Sequence, residues 1–582
     1  MKRSSRLALR RRLAAAAGAA LVALALAASA APAAAADLEQ ARSALAQRDF
    51  AAALPLYDRL LRLRPGDVEL WIEAARASGF ADRNAEAAAR YRRALELAPQ
   101  RRADVLPALA WQTLWAGDAA GAGPLFDEVA GTAADGAARA DALDGLGQAR
   151  DALGAADAAI AAWQASLAQR PAQAAVERRL ARALLWRDRP AEADALLTQA
   201  LARDGADRDS AWLRAHIRNF AGRHQDAVQE FERLGGARSR GERLDAARAW
   251  AWAGFDERAH ALLADTVDAD ARWWRDHRLQ RETRPYAWGR VEHASDADRL
   301  ETQSLTLAYG WRPQPAARVE LQARRLALDD PAAARRASEL QWHWRQRFGE
   351  PGAAGGLWWP SLSLRATDWG DWTPLTGQAA LAWLPRDGWR LDAELAREGV
   401  ATPRAIAERV QVDTLALGVD HRPHPRLTLT AGAALQRFDD GNLRRRASAR
   451  AQWLLAGQPR WVVGAEALAF HSDRPRSASR PDRGYWNPAR YREARAYTAV
   501  EVERRPWDFS LRLGLGAATE VDADGGRSHG QPHQWALAVG RDLGPQARLQ
   551  LGLGGSGAGL GLGGGGSGYW RRSATLSLHA WF

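Results

Sequence analysis

Cysteine is missing from all 582 residues. That excludes a disulfide framework, a thiolate metal site and a cysteine nucleophile. It leaves the compartment open, because many envelope proteins also lack the residue. Lysine occurs once, at Lys2, so arginine supplies every other positive charge. With so much alanine and glycine, this reads as genomic base-composition bias. After the N-terminal segment there is no uncharged apolar run of about eighteen residues, so no transmembrane helix is expected there. A nucleophile elbow and a helical HExxH are missing too, so neither enzyme activity nor a cofactor is expected. His421 and His424 stand in a turn (HRPHP) that reads as solvated, not as a metal site. The glycine-rich run Gly552–Gly568 lacks the lysine and following helix of a phosphate loop. It reads as a flexible outer loop with a strand end.

What is present begins with an export signal. Lys2, Arg3, Arg6, Arg10, Arg11 and Arg12 form a positive n-region, and an apolar stretch runs from Leu13 to about Ala30. Ala34-Ala35-Ala36 offers the small-residue cleavage site, so residues 1–36 read as a secretory signal and Asp37 as the first mature residue. The signal holds six positive groups and no acid, so the formal charge of +12 falls to +6 on cleavage. Residues 37–285 then carry about −2 and residues 286–582 about +8. The basic residues are dispersed and an exported chain meets no genome, so no nucleic-acid partner is expected.

Residues 37–285 carry alanine, leucine, arginine and glutamate at helical spacing. Tyr57 and Tyr91 are 34 residues apart, as are Pro65 and Pro99, Trp163 and Leu197, and Leu197 and Phe231. The segments Leu56–Pro65 and Arg90–Pro99 resemble the second helix and closing proline of a tetratricopeptide repeat (TPR). One helical hairpin of this size cannot bury its apolar face alone, whereas stacked copies bury it against each other. An all-α TPR superhelix of about seven units is expected, with a slip near Gly121–Pro124. Trp111, Trp115, Trp186, Trp212, Trp250 and Trp252 recur near the first helices, either filling gaps or facing a groove where sugar rings stack.

Near Pro285 helical spacing gives way to alternation. Thr302–Trp311 places Leu305, Leu307, Tyr309 and Trp311 on one face. Trp461–Phe470 places Val463, Ala465 and Ala467 opposite Glu466. Phe509–Leu515 alternates in the same way. About sixteen segments of bilayer-crossing length follow one another, starting near 286, 302, 316, 335, 357, 375, 388, 409, 426, 446, 460, 492, 508, 533, 546 and 571. Tight turns such as Pro385–Asp387, His421–Pro425 and Arg504–Pro506 alternate with longer segments such as Glu398–Glu408 and His471–Tyr491. A sandwich has no reason to keep that asymmetry, whereas short periplasmic turns and long outer loops produce it. Residues 286–582 are therefore expected to form a 16-stranded antiparallel transmembrane β-barrel in outer-membrane lipid, with residues 37–285 in the periplasm. Trp342, Trp344, Trp358, Trp359, Trp369, Trp372, Trp383 and Trp389 suit an interfacial girdle.

Extending the alternation turns Glu320, Glu339, Asp392, Glu394, Glu466, Glu501 and Glu503 inward, with Arg318, Arg324, Arg345, Arg347, Arg495 and Arg512. Charges facing lipid would be costly, so these belong in the lumen. They either pair across strands and support the wall or form a hydrated polymer path. The longest loop carries Tyr485-Trp486-Asn487-Pro488-Ala489-Arg490 and reads either as a lumen constriction or as a packed surface loop.

That loop resembles a Tyr-Phe-Asn-Pro segment of the export porins for poly-β-1,6-N-acetylglucosamine (the PgaA/HmsH family), with Trp486 in place of Phe. The order of signal, TPR arm and sixteen-stranded barrel is similar as well, although the TPR arm is shorter. The resemblance implies passive export of a partly deacetylated, partly cationic exopolysaccharide during biofilm formation. It also implies that the arm engages a periplasmic polysaccharide deacetylase. A cellulose-type exporter and a barrel-anchored TPR scaffold that recruits periplasmic proteins are the alternatives.

Overall fold

The computed structural model describes residues 34–557, 562–566 and 568–582. The expected signal falls almost wholly outside these residues. The chain forms two compact units, Met1–Arg214 and Ala215–Phe582.

The first unit is built of helical hairpins. Residues 34–46 pair with Phe50–Leu63, Val68–Phe80 with Asn84–Leu97, and Arg102–Trp115 with Ala119–Thr132. Gly136–Ala152 with Ala156–Gln169 and Ala174–Trp186 with Pro190–Arg203 continue the series. The apolar residues spaced by about 34 fall on second helices, where Tyr57, Tyr91, Phe126, Trp163 and Leu197 are buried, and Pro65 and Pro99 follow the helix ends. Small residues on the facing first helix make room for them. A Cβ at Gly145 would strike the Phe126 ring and one at Gly147 the Trp163 ring, at 2.3 and 2.4 Å. Trp115 and Trp186 are 56% and 73% exposed, whereas Trp212 is buried. Several helices start on an aspartate; Asp67 Oδ1 accepts from the Leu70 N–H at 3.1 Å. Asp67→Ala is expected to cost about 1 kcal/mol, read from urea unfolding followed by circular dichroism.

The second unit opens with His224–Arg233, Arg240–Trp252 and Asp256–Leu262, then Ala269–Trp273, which runs through a π-helical turn into Gln280–Thr283. Strands follow: β1 (Tyr286–Asp296), β2 (Glu301–Gln314), β3 (Ala317–Asp329), β4 (Ala334–Gln346), β5 (Leu357–Asp368), β6 (Leu375–Leu384), β7 (Trp389–Gly399), β8 (Gln411–His424) and β9 (Leu427–Phe438). The series continues with β10 (Leu443–Gly457), β11 (Arg460–Ser472), β12 (Arg490–Arg504), β13 (Trp507–Val521), β14 (Arg527–Gly530), β15 (His533–Gly544), β16 (Ala547–Gly557) and β17 (Trp570–Trp581). Each pairs antiparallel with its sequence neighbour, and β1 pairs with β17 through Val291 opposite Leu576, so the sheet closes. Strands β14 and β15 both pair with β13, at its two ends, and make one stave. The result is a closed sixteen-stranded antiparallel barrel. Among the described residues no helix is long and apolar enough to cross a membrane.

At the end where β1 begins, here the near rim, most strands join through two to four residues. Residues 347–356 are the longer exception. At the far rim lie the segments 400–410 and 473–489 and the Gly-rich 562–566. The helices of the second unit are fastened to the near rim. Asp387, in the turn before β7, accepts from the N–H groups of Gln225 and Asp226 at 3.2 and 3.0 Å. Arg281 donates to Asp542 at 2.8 Å and to the Gly544 carbonyl at 2.9 Å. Arg258 meets Glu350 at 2.8 Å, and Arg347 meets Glu257. Strand begins at Tyr286, but these contacts attach residues 224–283 to the barrel, so the compact units divide between Arg214 and Ala215 instead.

Candidate functional site

Register and exposure together assign the two faces of the wall. Leu305, Leu307, Leu340, Leu395, Leu417, Leu511 and Leu578 are exposed, whereas Thr302, Ser304 and Thr306 are buried. These leucines face out and these hydroxyls face in, and the pairing carries this assignment round the ring. Period two then turns Glu320, Glu339, Asp392, Glu394, Glu466, Glu501, Glu503, Arg345 and Arg495 toward the lumen.

Most of these groups are partnered. Arg495 Nη2 lies 2.9 Å from Glu466, and its Nε 2.7 Å from Glu493, off the N–H axis, so the second contact is ionic. Arg512 holds the other Glu466 oxygen at 2.9 Å. Arg365 stands 3.5 Å from Glu339, Arg390 2.8 Å from Asp392 and Arg460 2.9 Å from Glu501. Glu320 accepts from Trp288 Nε1 at 3.3 Å, from Gln322 at 2.7 Å and from the Tyr286 hydroxyl. Glu394 and Glu503 have no ionic partner among the described residues, and neither has Arg446 on β10. Carboxylates and guanidiniums interleave on the inner wall, so it carries no large excess of either sign.

At the far rim the 473–489 segment turns its aromatics onto inward-facing residues. Tyr485 is 5% exposed and stacks on Phe438 at 4.3 Å, and its hydroxyl donates to Asp440 at 2.8 Å. Burial, then that hydrogen bond, pushes the Tyr485 hydroxyl above its usual range. Trp486 packs edge-on against Phe470 and Tyr491 at 5.1 and 4.7 Å. Asn442, fully buried, donates to Asn487 at 3.0 Å and accepts from the Arg474 N–H at 2.9 Å. Pro488 is buried beside them. A cavity of about 790 Å³ here is lined by Asp296, Asp298, Asp330, Asp482, Glu520 and Asp522, with Arg404 and Arg476. Burial first, then Asp296 and Asp482, holds Asp298 above the usual carboxylate range.

At the near rim a second cavity, of about 710 Å³, has a different lining. Trp288 pairs with His579 and Tyr286 with Trp581 across the closing seam. All four rings face inward. Trp288, His579 and Trp581 lie near-parallel with successive centroids 6.0 Å apart. Glu320, Glu501, Glu503, Asp508 and Asp542 also line it, interleaved with Arg278, Arg281, Arg318, Arg505 and Arg548. Alternation alone could have marked these aromatics, since Tyr286 and Trp288, like His579 and Trp581, are two residues apart. Their meeting needs the seam.

Three expected placements are corrected. Arg490 opens β12 on its outward, exposed face, in phase with Arg492 and Ala494, so it takes no part in a lumen constriction. Trp359 points inward at the near rim, where Gly254 approaches its ring, whereas its neighbour Trp358 stacks on the outward Trp383 at 4.9 Å. Trp369 and Trp372 pack on a far-rim apolar cluster around Leu328 and Ile406, not in a girdle. His421 and His424 stack on Trp389 and Trp453, and no group of potential metal ligands occurs among the described residues.

An apolar outer face, a polar inner face and helical repeats ahead of the barrel define an outer-membrane-type β-barrel protein. No family model matches the sequence, and no curated protein matches it. Among solved structures, a bacterial polysaccharide outer-membrane secretin is 13% identical, with a TM-score of 0.40, covering 51% of this chain and 98% of its own. A tetratricopeptide repeat protein from Parabacteroides merdae is also 13% identical, with a TM-score of 0.35, covering 42% of this chain and 97% of its own. A MamA fragment from Desulfovibrio magneticus is 19% identical, with a TM-score of 0.27, covering 30% and 97%.

Proposed function

We propose that this protein carries an exopolysaccharide through the outer membrane, with its helical repeats in the periplasm. The observation that carries the reading is a closed barrel whose inner wall is largely polar and charged, with an aromatic cavity at one end and an acid-lined cavity at the other. Such a wall suits weak, repeated contacts with a hydrated chain better than one tight site. The acids at the far rim suit a partly cationic polymer, which favours partly deacetylated poly-β-1,6-N-acetylglucosamine as the cargo. The helical repeats are then the docking surface for a periplasmic polysaccharide deacetylase. Transport down a gradient needs no catalysis from the chain.

The inward turn of Tyr485 and Trp486 favours a second reading, a plugged barrel that anchors a scaffold of helical repeats. Conductance and secretion separate the two. The full-length chain in planar bilayers should pass a steady ionic current, and cells lacking it should retain polymer in the periplasm. Absence of current together with undiminished polymer at the cell surface would sink export and leave the scaffold.

A further inference from the structure

We infer that the near-rim aromatic group is a saccharide-binding platform on which pyranose rings stack as they enter the bore; this rests on the export reading. The inner wall is otherwise mostly small, hydroxyl-bearing or charged, so these rings stand apart from it even though they flank the closing seam. They also lie outside the lipid-facing aromatic band. Trp288 and Trp581 each carry an arginine over the ring, Arg290 at 5.1 Å and Arg281 at 4.6 Å, and present the rest of their apolar surface beside carboxylates, the mixture that a sugar offers in mirror image: a C–H face ringed by hydroxyls. The cavity of about 710 Å³ is of the size that encloses small ligands.

The rings are held before any ligand arrives. Trp288 donates its Nε1–H to Glu320 at 3.3 Å. Arg281 lies over one face of Trp581 at 4.6 Å and is itself fixed by Asp542 and the Gly544 carbonyl. Such preorganisation removes the ordering cost that flexible aromatics would incur on binding. Glu503, without an ionic partner among the described residues, is free to accept from hydroxyl or ammonium groups. The class selected is therefore a neutral or amino sugar chain with equatorial substituents, so that the ring's C–H face is flat.

Calorimetry on the detergent-solubilised full-length chain, with a β-linked N-acetylglucosamine oligosaccharide as probe, tests this. Trp288→Leu keeps an apolar side chain and should weaken binding about ten-fold. Trp288→Phe, which restores an aromatic face, should recover most of the affinity. Trp342→Ala, on the outward face, should leave it unchanged. Folding of each variant is read from heat-modifiable gel migration, and His579→Ala replaces any variant that fails to fold. Equal affinity in Trp288→Leu and the wild type would overturn the platform, as would no binding by the wild type. Neither result bears on conductance or secretion, where the export reading stands or falls separately.

Discussion

Replacing Arg495 by methionine is expected to destabilise the barrel by about 3–5 kcal/mol, the usual cost of stripping one partner from a buried ionic cluster. Arg495 and Glu493 are 6% and 5% exposed, and Arg495 is the cation against both Glu493 and Glu466. Without it, Glu466 keeps Arg512, but Glu493 keeps only the Tyr491 hydroxyl. The temperature at which the folded band disappears on a gel should drop markedly. The double variant Arg495→Met/Glu493→Gln should regain much of the loss, because no charge is then stranded. A single variant as heat-resistant as the wild type would show that water in the lumen solvates Glu493 unaided. Arg495 and Glu466 thus act as parts of the wall before they act on any cargo.

The second large effect is on pH. Burial pushes Asp387 up to about 6 against the pull of two backbone N–H groups, and burial, with Arg422 adding to it, lowers His224 to about 4. For Asp387 the docked form gains a proton near pH 6 while an undocked carboxylate waits until about 4, so acidification favours docking across that window. For His224 the undocked ring is protonated near pH 6.5 and the docked ring only near 4, so acidification disfavours docking over almost the same window. Each contribution reaches up to about 3 kcal/mol, and they oppose each other. Asp387→Asn should therefore make the helix His224–Arg233 open more readily as pH falls from 7 to 4. His224→Gln should make it open less readily. Hydrogen exchange at the amides of residues 225–233 reads both, and pH profiles parallel to that of the wild type in both variants would refute the pairing.

The fold lay close to the surface of the sequence because its two periods are strong. A repeat of about 34 residues marks Tyr57, Tyr91 and Trp163 as helix-packing residues, and alternation with turn residues marks the staves to within a few positions. Faces were legible wherever an apolar residue alternates with a polar one, as along Leu305–Trp311. They were not legible at Trp358-Trp359, where two adjacent tryptophans leave the phase undecided. Nor were they at Arg490, which sits where a loop hands over to a strand. The fastening of residues 224–283 to the near rim was invisible. Single charged residues such as Asp387 and Arg281 follow no period, and their partners lie more than 160 and 260 positions away. The aromatic platform was hidden for a related reason, since its halves occupy the first and last strands.

The pairing of β1 with β17 has a topological consequence. A cylinder with an unbroken ladder of hydrogen bonds has no slit, so whatever occupies it travels lengthwise and never escapes sideways into lipid. On the export reading, a thread would pass end first, while a branch point or cross-link wider than the hole would stop it. Because the final ladder joins residues nearly 300 positions apart, the hole does not exist until the C-terminal strand is in place, and a chain interrupted before then leaves an open sheet instead of a narrower pipe.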